Sequence, residues 1–213
     1  MDVRRQEPER SKGADAVAAA IRADIGAGQF THGAWLKQID LEQRYACSRA
    51  DVRRALEKLE TKGIVQRIPE RGYYVTNMDT ERHRELVEVR VVLEVATVPG
   101  IVERATPADL SELRRLAELF AVASRQGDAA EKYNANRAFH VYLTQLCPNR
   151  ELANLTLEIR GNLPSTPIAQ WKSQERIEKS VREHFEMVDA LEKRKAALLT
   201  ELITRHIRQP EEP

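Results

Sequence analysis

Three of the chain's five histidines, His140, His184 and His206, fall in stretches whose apolar residues recur with helical spacing. Asn136 lies one turn before His140, so its amide oxygen and that imidazole share a helix face. Imidazole nitrogens joined by one oxygen donor suit zinc, and also nickel, iron or manganese, with water or a bound acid completing the shell. Spacing alone leaves a plainer reading open, because a single helical histidine is more often a surface or core residue than a ligand. A second set is cationic. Arg49 and Arg53, spaced i and i+4, share one face at the start of another helical stretch, with Arg54 beside them. There a guanidinium can donate two parallel hydrogen bonds to guanine O6 and N7 in a major groove. Arg71 and Gly72 form a turn where the absence of a side chain lets backbone come close to phosphates or a minor groove. Taken singly, such arginines are usually a solvated face.

The elements that must position the arginines read clearly. Val17, Ile21 and Ile25 predict an amphipathic helix over Ala14 to Ala27, stopped by Gly26 and Gly28. An extended stretch through Phe30 to Leu36 leads to a short helix, Gln38 to Tyr45. Ser48 then offers a hydroxyl cap and Asp51 a carboxylate three residues later, so a third helix is expected over Arg49 to Lys62, burying Val52, Ala55, Leu56 and Leu59 and ending at Gly63. Ile64 to Ile68 and Tyr73 to Val75 read as a hairpin with its tip at Gly72. Three helices followed by a hairpin is the order of a winged helix-turn-helix.

Beyond the polar joint Thr76 to Thr80 the pattern is helical throughout. Leu86, Val89, Leu93 and Ala96 mark one helix, which Pro99-Gly100 is expected to kink or end. Thr106-Pro107 is a cap followed by proline at the first helical position, opening a long helix through Phe120. Further helices are expected through Tyr133 to Leu146, ended by Pro148-Asn149, and over Glu151 to Arg160, Ser173 to Glu192 and Lys195 to Ile207, with Gly161 to Pro167 a loop. The expected fold is therefore mainly α: a winged helix-turn-helix with a small β-hairpin wing over 14–76, then an all-helical bundle of about six helices over 80–208, after a disordered N-terminus over 1–13.

At this point two resemblances enter. Ser48-Arg49-Ala50-Asp51-Val52-Arg53-Arg54-Ala55-Leu56, then Leu59-Glu60 and Gly63-Ile64-Val65, resembles the DNA-binding signature of GntR-type regulators, and Arg71-Gly72-Tyr73-Tyr74-Val75 resembles that family's wing. Asn136-Arg137-Ala138-Phe139-His140, Ser180-Val181-Arg182-Glu183-His184 and Arg205-His206-Ile207 resemble the FCD effector domain of FadR-type members. The resemblance implies a DNA-binding set of Ser48, Arg49, Ala50, Arg53, Arg54, Arg71 and Gly72, and a metal-binding set of Asn136, His140, His184 and His206. It also offers Arg90, within Arg90-Val91-Val92-Leu93-Glu94, and Arg160 as groups to pair with an effector carboxylate; for Arg90 a surface ion pair with Glu94 stays an equal alternative. The chain departs from the family at Arg54, where a glutamate is usual, at Ile39, where a polar or basic residue is usual, and at Asn136, where aspartate is frequent. The first two bear on operator sequence; the third removes a negative charge from the metal site.

Composition narrows the classes. With 42% hydrophobic and 31% charged residues the chain can build real cores, yet no apolar run is long enough to cross a bilayer. Met1 to Gly13 lacks the pattern of a secretion signal, so a cytoplasmic location is expected. Cys47 and Cys147 stand too far apart in sequence for a zinc ribbon or redox pair. A net charge of +1 argues against a binder of nucleic acid in general. The expectation is thus a homodimeric, operator-binding transcriptional regulator, repressing until a small carboxylate binds a divalent metal, zinc first among the candidates; activation stays open. Two rivals stand beside it: a DNA-binding protein whose helical part only dimerises, and a metal-dependent hydrolase. The rival enzyme lacks an evident base, since Glu183 lies about 100° around the helix from His184 and need not face the site.

Overall fold

A computed structural model of the chain describes residues 13–77, 80–162 and 173–208. The disorder expected for 1–13 lies, apart from Gly13, outside the described residues, as does the loop beyond residue 162. The chain divides into two compact units, one holding the residues up to Ile25 with Phe30–Asn77, the other Gly26–Gln29 with the helices beyond residue 78.

The first unit runs α1 (Ala14–Gly26), β1 (Trp35–Leu36), α2 (Gln38–Tyr45), α3 (Arg49–Thr61), β2 (Val65–Ile68) and β3 (Gly72–Val75). Helical spacing buries Val17, Ile21 and Ile25 of α1 against Val52, Ala55, Leu56 and Leu59 of α3, with Leu41 and Tyr45 of α2 completing the cluster. Ala46, at φ 48°, turns the chain between α2 and α3, and Asp24 fixes α2 to α1 by accepting from Arg44 Nε at 2.6 Å and from Tyr45 Oη at 2.7 Å. The wing is a three-stranded antiparallel sheet in the order β1-β3-β2, with Trp35 opposite Tyr74 and Val65 opposite Val75. The sequence pattern predicts the hairpin; β1 adds the third strand from what reads only as an extended stretch, two residues being too few for an alternation to show.

The second unit contains six helices among the described residues: α4 (Thr80–Arg104), α5 (Pro107–Gln126), α6 (Ala129–Gln145), α7 (Arg150–Asn162), α8 (Gln174–Glu192) and α9 (Ala196–Arg208). Their starts are written into the sequence. Thr106 with Asp109, and Asp128 with Glu131, form reciprocal capping boxes, while Asn149 and Ser173 cap α7 and α8. Helix α5 packs on α6 and α8, and α9 packs on α4 and α8, around a core that includes Ile101, Leu113, Phe139, Met187, Leu191 and Leu199.

Two expectations need correction here. Pro99 does not end its helix: α4 continues to Arg104, because Val98 and Ile101 on either side are buried in the same core and outweigh the lost hydrogen bond. Gly100 is required instead by packing, since a Cβ there would stand 2.6 Å from Cδ of Pro148. The helix over Glu151 to Arg160 extends through Gly161 and Asn162, which were expected to begin a loop.

Candidate metal centre and nucleic-acid interface

Helices α6, α8 and α9 each bring one histidine to a common point. His140 Nε2 lies 3.0 Å from His206 Nε2 and 3.1 Å from His184 Nε2, and all three rings are buried. The rings are held by aromatic packing: Phe139 stacks on His184 at a centroid distance of 4.2 Å and an interplanar angle of 5°, and Phe120 lies 5.0 Å from it. Burial pushes all three imidazoles below the ordinary histidine range, and the Arg160 cation pushes the same way; for His206 the carboxylate of Glu183 opposes the shift without cancelling it. At neutral pH the three rings are uncharged, the form in which imidazole binds a metal.

The proton on His206 can be placed. Its Nδ1 is 2.7 Å from Oε2 of Glu183, and since the carboxylate can only accept, Nδ1 carries the hydrogen. Its Nε2 is then a bare lone pair facing Nε2 of His140 at 3.0 Å. Glu183 is itself buried; burial would raise its pKa, but the hydrogen bond from His206 and the charge and hydrogen bonds of Arg176 hold it below the ordinary range. Arg176 Nη2 lies 3.3 Å and Arg205 Nε 3.8 Å from its two oxygens.

These donors fit a divalent cation. Nitrogens about 2.0–2.1 Å from one zinc ion stand about 2.9 Å apart at right angles and about 3.4 Å apart at tetrahedral angles, a range that contains the two separations from His140, and the three ligand nitrogens all lie within 4.8 Å of one another. Asn136 Oδ1, one turn from His140, is buried without a hydrogen-bond partner among the described residues, as is Nδ1 of His184. The three histidines expected from the sequence are therefore brought together, and Asn136 shares the face of His140.

Arg90 and Arg160 meet at a carboxylate. Glu94 Oε1 accepts from Arg90 Nε at 2.6 Å and from Arg160 Nη1 at 2.9 Å, and the three side chains are only 7%, 12% and 7% exposed for Arg90, Arg160 and Glu94. The alternative of a surface pair between Arg90 and Glu94 is thus half right: the pair exists, but it is buried and shared with α7. Burial would raise the Glu94 pKa, yet the two guanidinium groups bring it down to about 2. Arg160, desolvated and repelled by Arg90, falls to about 9 despite Glu94, and so keeps its charge at neutral pH.

Glu183 and Glu94 were not singled out in the sequence as parts of the site. Glu183 directly precedes His184, and a helix sends consecutive residues in different directions; it reaches the site through α9, whose position periodicity does not encode. For Glu94 the signal was the i,i+4 spacing from Arg90, but its second partner comes from α7.

In the first unit, Ser48 caps α3 by accepting from the backbone N–H of Asp51 at 3.2 Å. Asp51 in turn accepts from Arg54 at 2.8 Å, so Arg54 is drawn back toward the cap. Arg49 and Arg53 are 80% and 66% exposed, with carboxylates no nearer than the 4.0 Å of Glu42 and the 3.8 Å of Glu57. Ala50 is exposed between them. At the wing tip Glu70 takes φ 63° and Gly72 φ 107°, and the exposed Arg71 donates its backbone N–H to Ile68. The DNA-binding set expected from the sequence is therefore exposed at Ser48, Arg49, Ala50, Arg53, Arg54 and Arg71, with Gly72 partly exposed.

Comparison with known proteins agrees with both halves. Residues 14–75 match the family described as bacterial regulatory proteins, gntR family, and residues 85–209 match the FCD domain. An HTH-type transcriptional regulator of Paraburkholderia xenovorans, BphR, is 30% identical over 200 residues, covering 88% of this chain and 79% of that protein. The HTH-type transcriptional repressor RspR of Escherichia coli is 26% identical over 190 residues, covering 89% and 83%. The solved structure of Escherichia coli McbR/YncC superposes with a TM-score of 0.82 at 21% identity, covering 92% of this chain and 93% of that one, which shows the shared fold.

Proposed function

The chain belongs to the GntR family of bacterial transcriptional regulators with an FCD domain, and from that premise we propose that it is a metal-dependent sensor of a small carboxylate, releasing operator DNA when the acid binds. DNA binding and regulation go with the family, whose members here are regulators rather than enzymes. The proposed DNA-binding domain is 14–76 and the proposed effector and dimerisation domain 80–208.

The observation that carries the reading is the convergence of three buried imidazoles, with His140 Nε2 at 3.0 Å from His206 and 3.1 Å from His184 and all three ligand nitrogens within 4.8 Å of one another. His140, His184 and His206 would hold a divalent ion, zinc first, with Asn136 as the oxygen donor. When bound, such an ion supplies a Lewis-acidic positive charge that attracts a carboxylate oxygen. Arg160 adds a permanent cation close enough to His140, His184 and His206 to depress their basicity. It is the better of the two arginines for the acid, because each donates once to Glu94 and keeps further N–H groups, but the charge of Arg160 bears on all three imidazoles and outweighs that of Arg90 at His140 and His206. Metal and arginine together favour a carboxylate over a neutral or cationic ligand.

A homodimer is proposed because helix-turn-helix heads read symmetric half-sites. The acid then acts by shifting the populations of two packings of the dimer, and with them the spacing of the heads. Repression relieved by the acid is the proposed sign, in keeping with a relative named as a repressor.

The test is metal analysis of the purified protein beside His184→Ala, followed by thermal melting with a panel of hydroxy acids, sugar acids and dicarboxylates. Bound metal that the variant loses, with stabilisation by one acid class and release of operator DNA, is the expected result. Absence of metal and of any shift would sink the sensor and leave a regulator whose helical unit only dimerises.

A further inference from the structure

The hydrogen bond between His206 and Glu183 does more than hold α9 against α8. We infer that Glu183 is a positioning residue for the metal centre: by accepting the Nδ1 hydrogen of His206 it fixes the tautomer and the ring orientation that leave Nε2 free as a ligand. The inference rests on the proposed metal-binding reading for its ligand, and on the structure for its geometry.

A neutral imidazole has one N–H, and in water the hydrogen prefers Nε2 modestly over Nδ1. On His206 that preference would put a hydrogen, not a lone pair, between the ring and His140. Glu183 reverses it with a charge-assisted bond of 2.7 Å, between groups that are 5% and 2% exposed. The carboxylate is itself fixed. Arg176, two turns earlier on the same face of α8, points both terminal nitrogens at the same oxygen, at 3.4 and 3.3 Å, and Arg205 approaches the other oxygen from α9. Glu183 therefore accepts from His206 and Arg176, with the Arg205 guanidinium 3.8 Å from its other oxygen, a frame that keeps it aimed at His206. His184, by contrast, has no hydrogen-bond partner at Nδ1 among the described residues, and its ring stacks on Phe139 instead. The three ligands thus differ: one is oriented by a carboxylate and one by an aromatic face.

The experiment has two independent readings, both on the full chain. In metal-free protein, long-range proton–nitrogen correlation of the imidazole rings reports tautomers directly. His206 is expected as the Nδ1–H form in the natural protein and is expected to move toward Nε2–H in Glu183→Ala. Zinc affinity, measured by competition with a chromophoric chelator, is expected to fall about 10- to 100-fold in Glu183→Ala. Glu183→Gln, which keeps an acceptor oxygen and the packing volume, should fall less and keep the tautomer, and it decides the matter if the alanine variant does not fold. An Nε2–H tautomer at His206 in the natural protein would overturn the inference. So would a folded alanine variant binding zinc within twofold of the natural affinity. If the natural protein binds no zinc but His206 shows the expected tautomer and loses it on substitution, the metal reading fails while the positioning by Glu183 stands.

Discussion

Arg160 Nη1 donates to Glu94 Oε1 at 2.9 Å across 66 residues of sequence, on the oxygen that already accepts from Arg90. Two buried guanidinium groups thus depend on one carboxylate, which ties α7 to α4 next to the histidine cluster.

Replacing Glu94 by alanine leaves both cations buried without a counter-charge. The expected loss is about 3–5 kcal/mol of stability, read from thermal or urea unfolding followed by circular dichroism. Arg84 makes a useful contrast, since its pairs with Glu81 and Glu88 are surface pairs at 61% exposure. Arg84→Ala is expected to leave the unfolding midpoint essentially where it is in the natural protein. Equal effects of the two substitutions would contradict the assignment.

The same carboxylate sets an acid limit. Its folded pKa, about 2, is below the ordinary 4.5, so the folded state favours the charged form. The corresponding stability is fully present above about pH 4.5 and is lost as the pH falls toward 2, on the order of 3 kcal/mol in all. Stability curves of the natural protein and Glu94→Gln should converge over that window; parallel curves would show that another group governs acid unfolding.

At the recognition helix, Arg49→Ala and Arg53→Ala are each expected to weaken binding to an operator selected from a random duplex library by about 1–3 kcal/mol. Arg54→Ala should cost less, because its guanidinium is drawn to Asp51 at 2.8 Å. Fluorescence anisotropy at two salt concentrations separates base reading from phosphate contact, since only loss of a phosphate contact lowers the salt slope. A larger effect at Arg54 than at Arg49 and Arg53 would reverse the ranking.

Helix starts carry separable increments. Thr106→Ala removes the hydroxyl that accepts from Asp109 N–H and should cost about 1 kcal/mol, measurable as a lower unfolding midpoint. A neutral result would mean that Asp109, which also bonds the Thr106 backbone N–H at 2.9 Å, suffices to start α5.

What could be read from the sequence follows the range of the physics involved. Caps, helical spacing and the left-handed turns are local, and so the starts of α3, α5 and α6 and the burial of α1 against α3 were legible from residues such as Ser48, Thr106, Val17 and Val52. The histidine cluster joins three helices, and its members were found by residue type and resemblance, not by spacing. What failed were judgements in which packing overrides local preference, as at Pro99, or in which a partner comes from another element, as Arg160 does for Glu94 and His206 for Glu183. Sheet strand β1 was missed because two residues carry no pattern.

The passage of α4 through Pro99 also has a mechanical side. Pro99 has no N–H, so the carbonyl of Val95 lacks the bond that would couple one turn to the next, and the 25-residue helix has a point of reduced bending stiffness there. On one side lie Arg90 and Glu94. On the other, Arg194 donates to the carbonyls of Val102 and Ala105 and clamps the helix end to the α8–α9 corner. A change in charge at Glu94 would therefore load a beam held at its Arg104 end and compliant at the Val95–Pro99 turn.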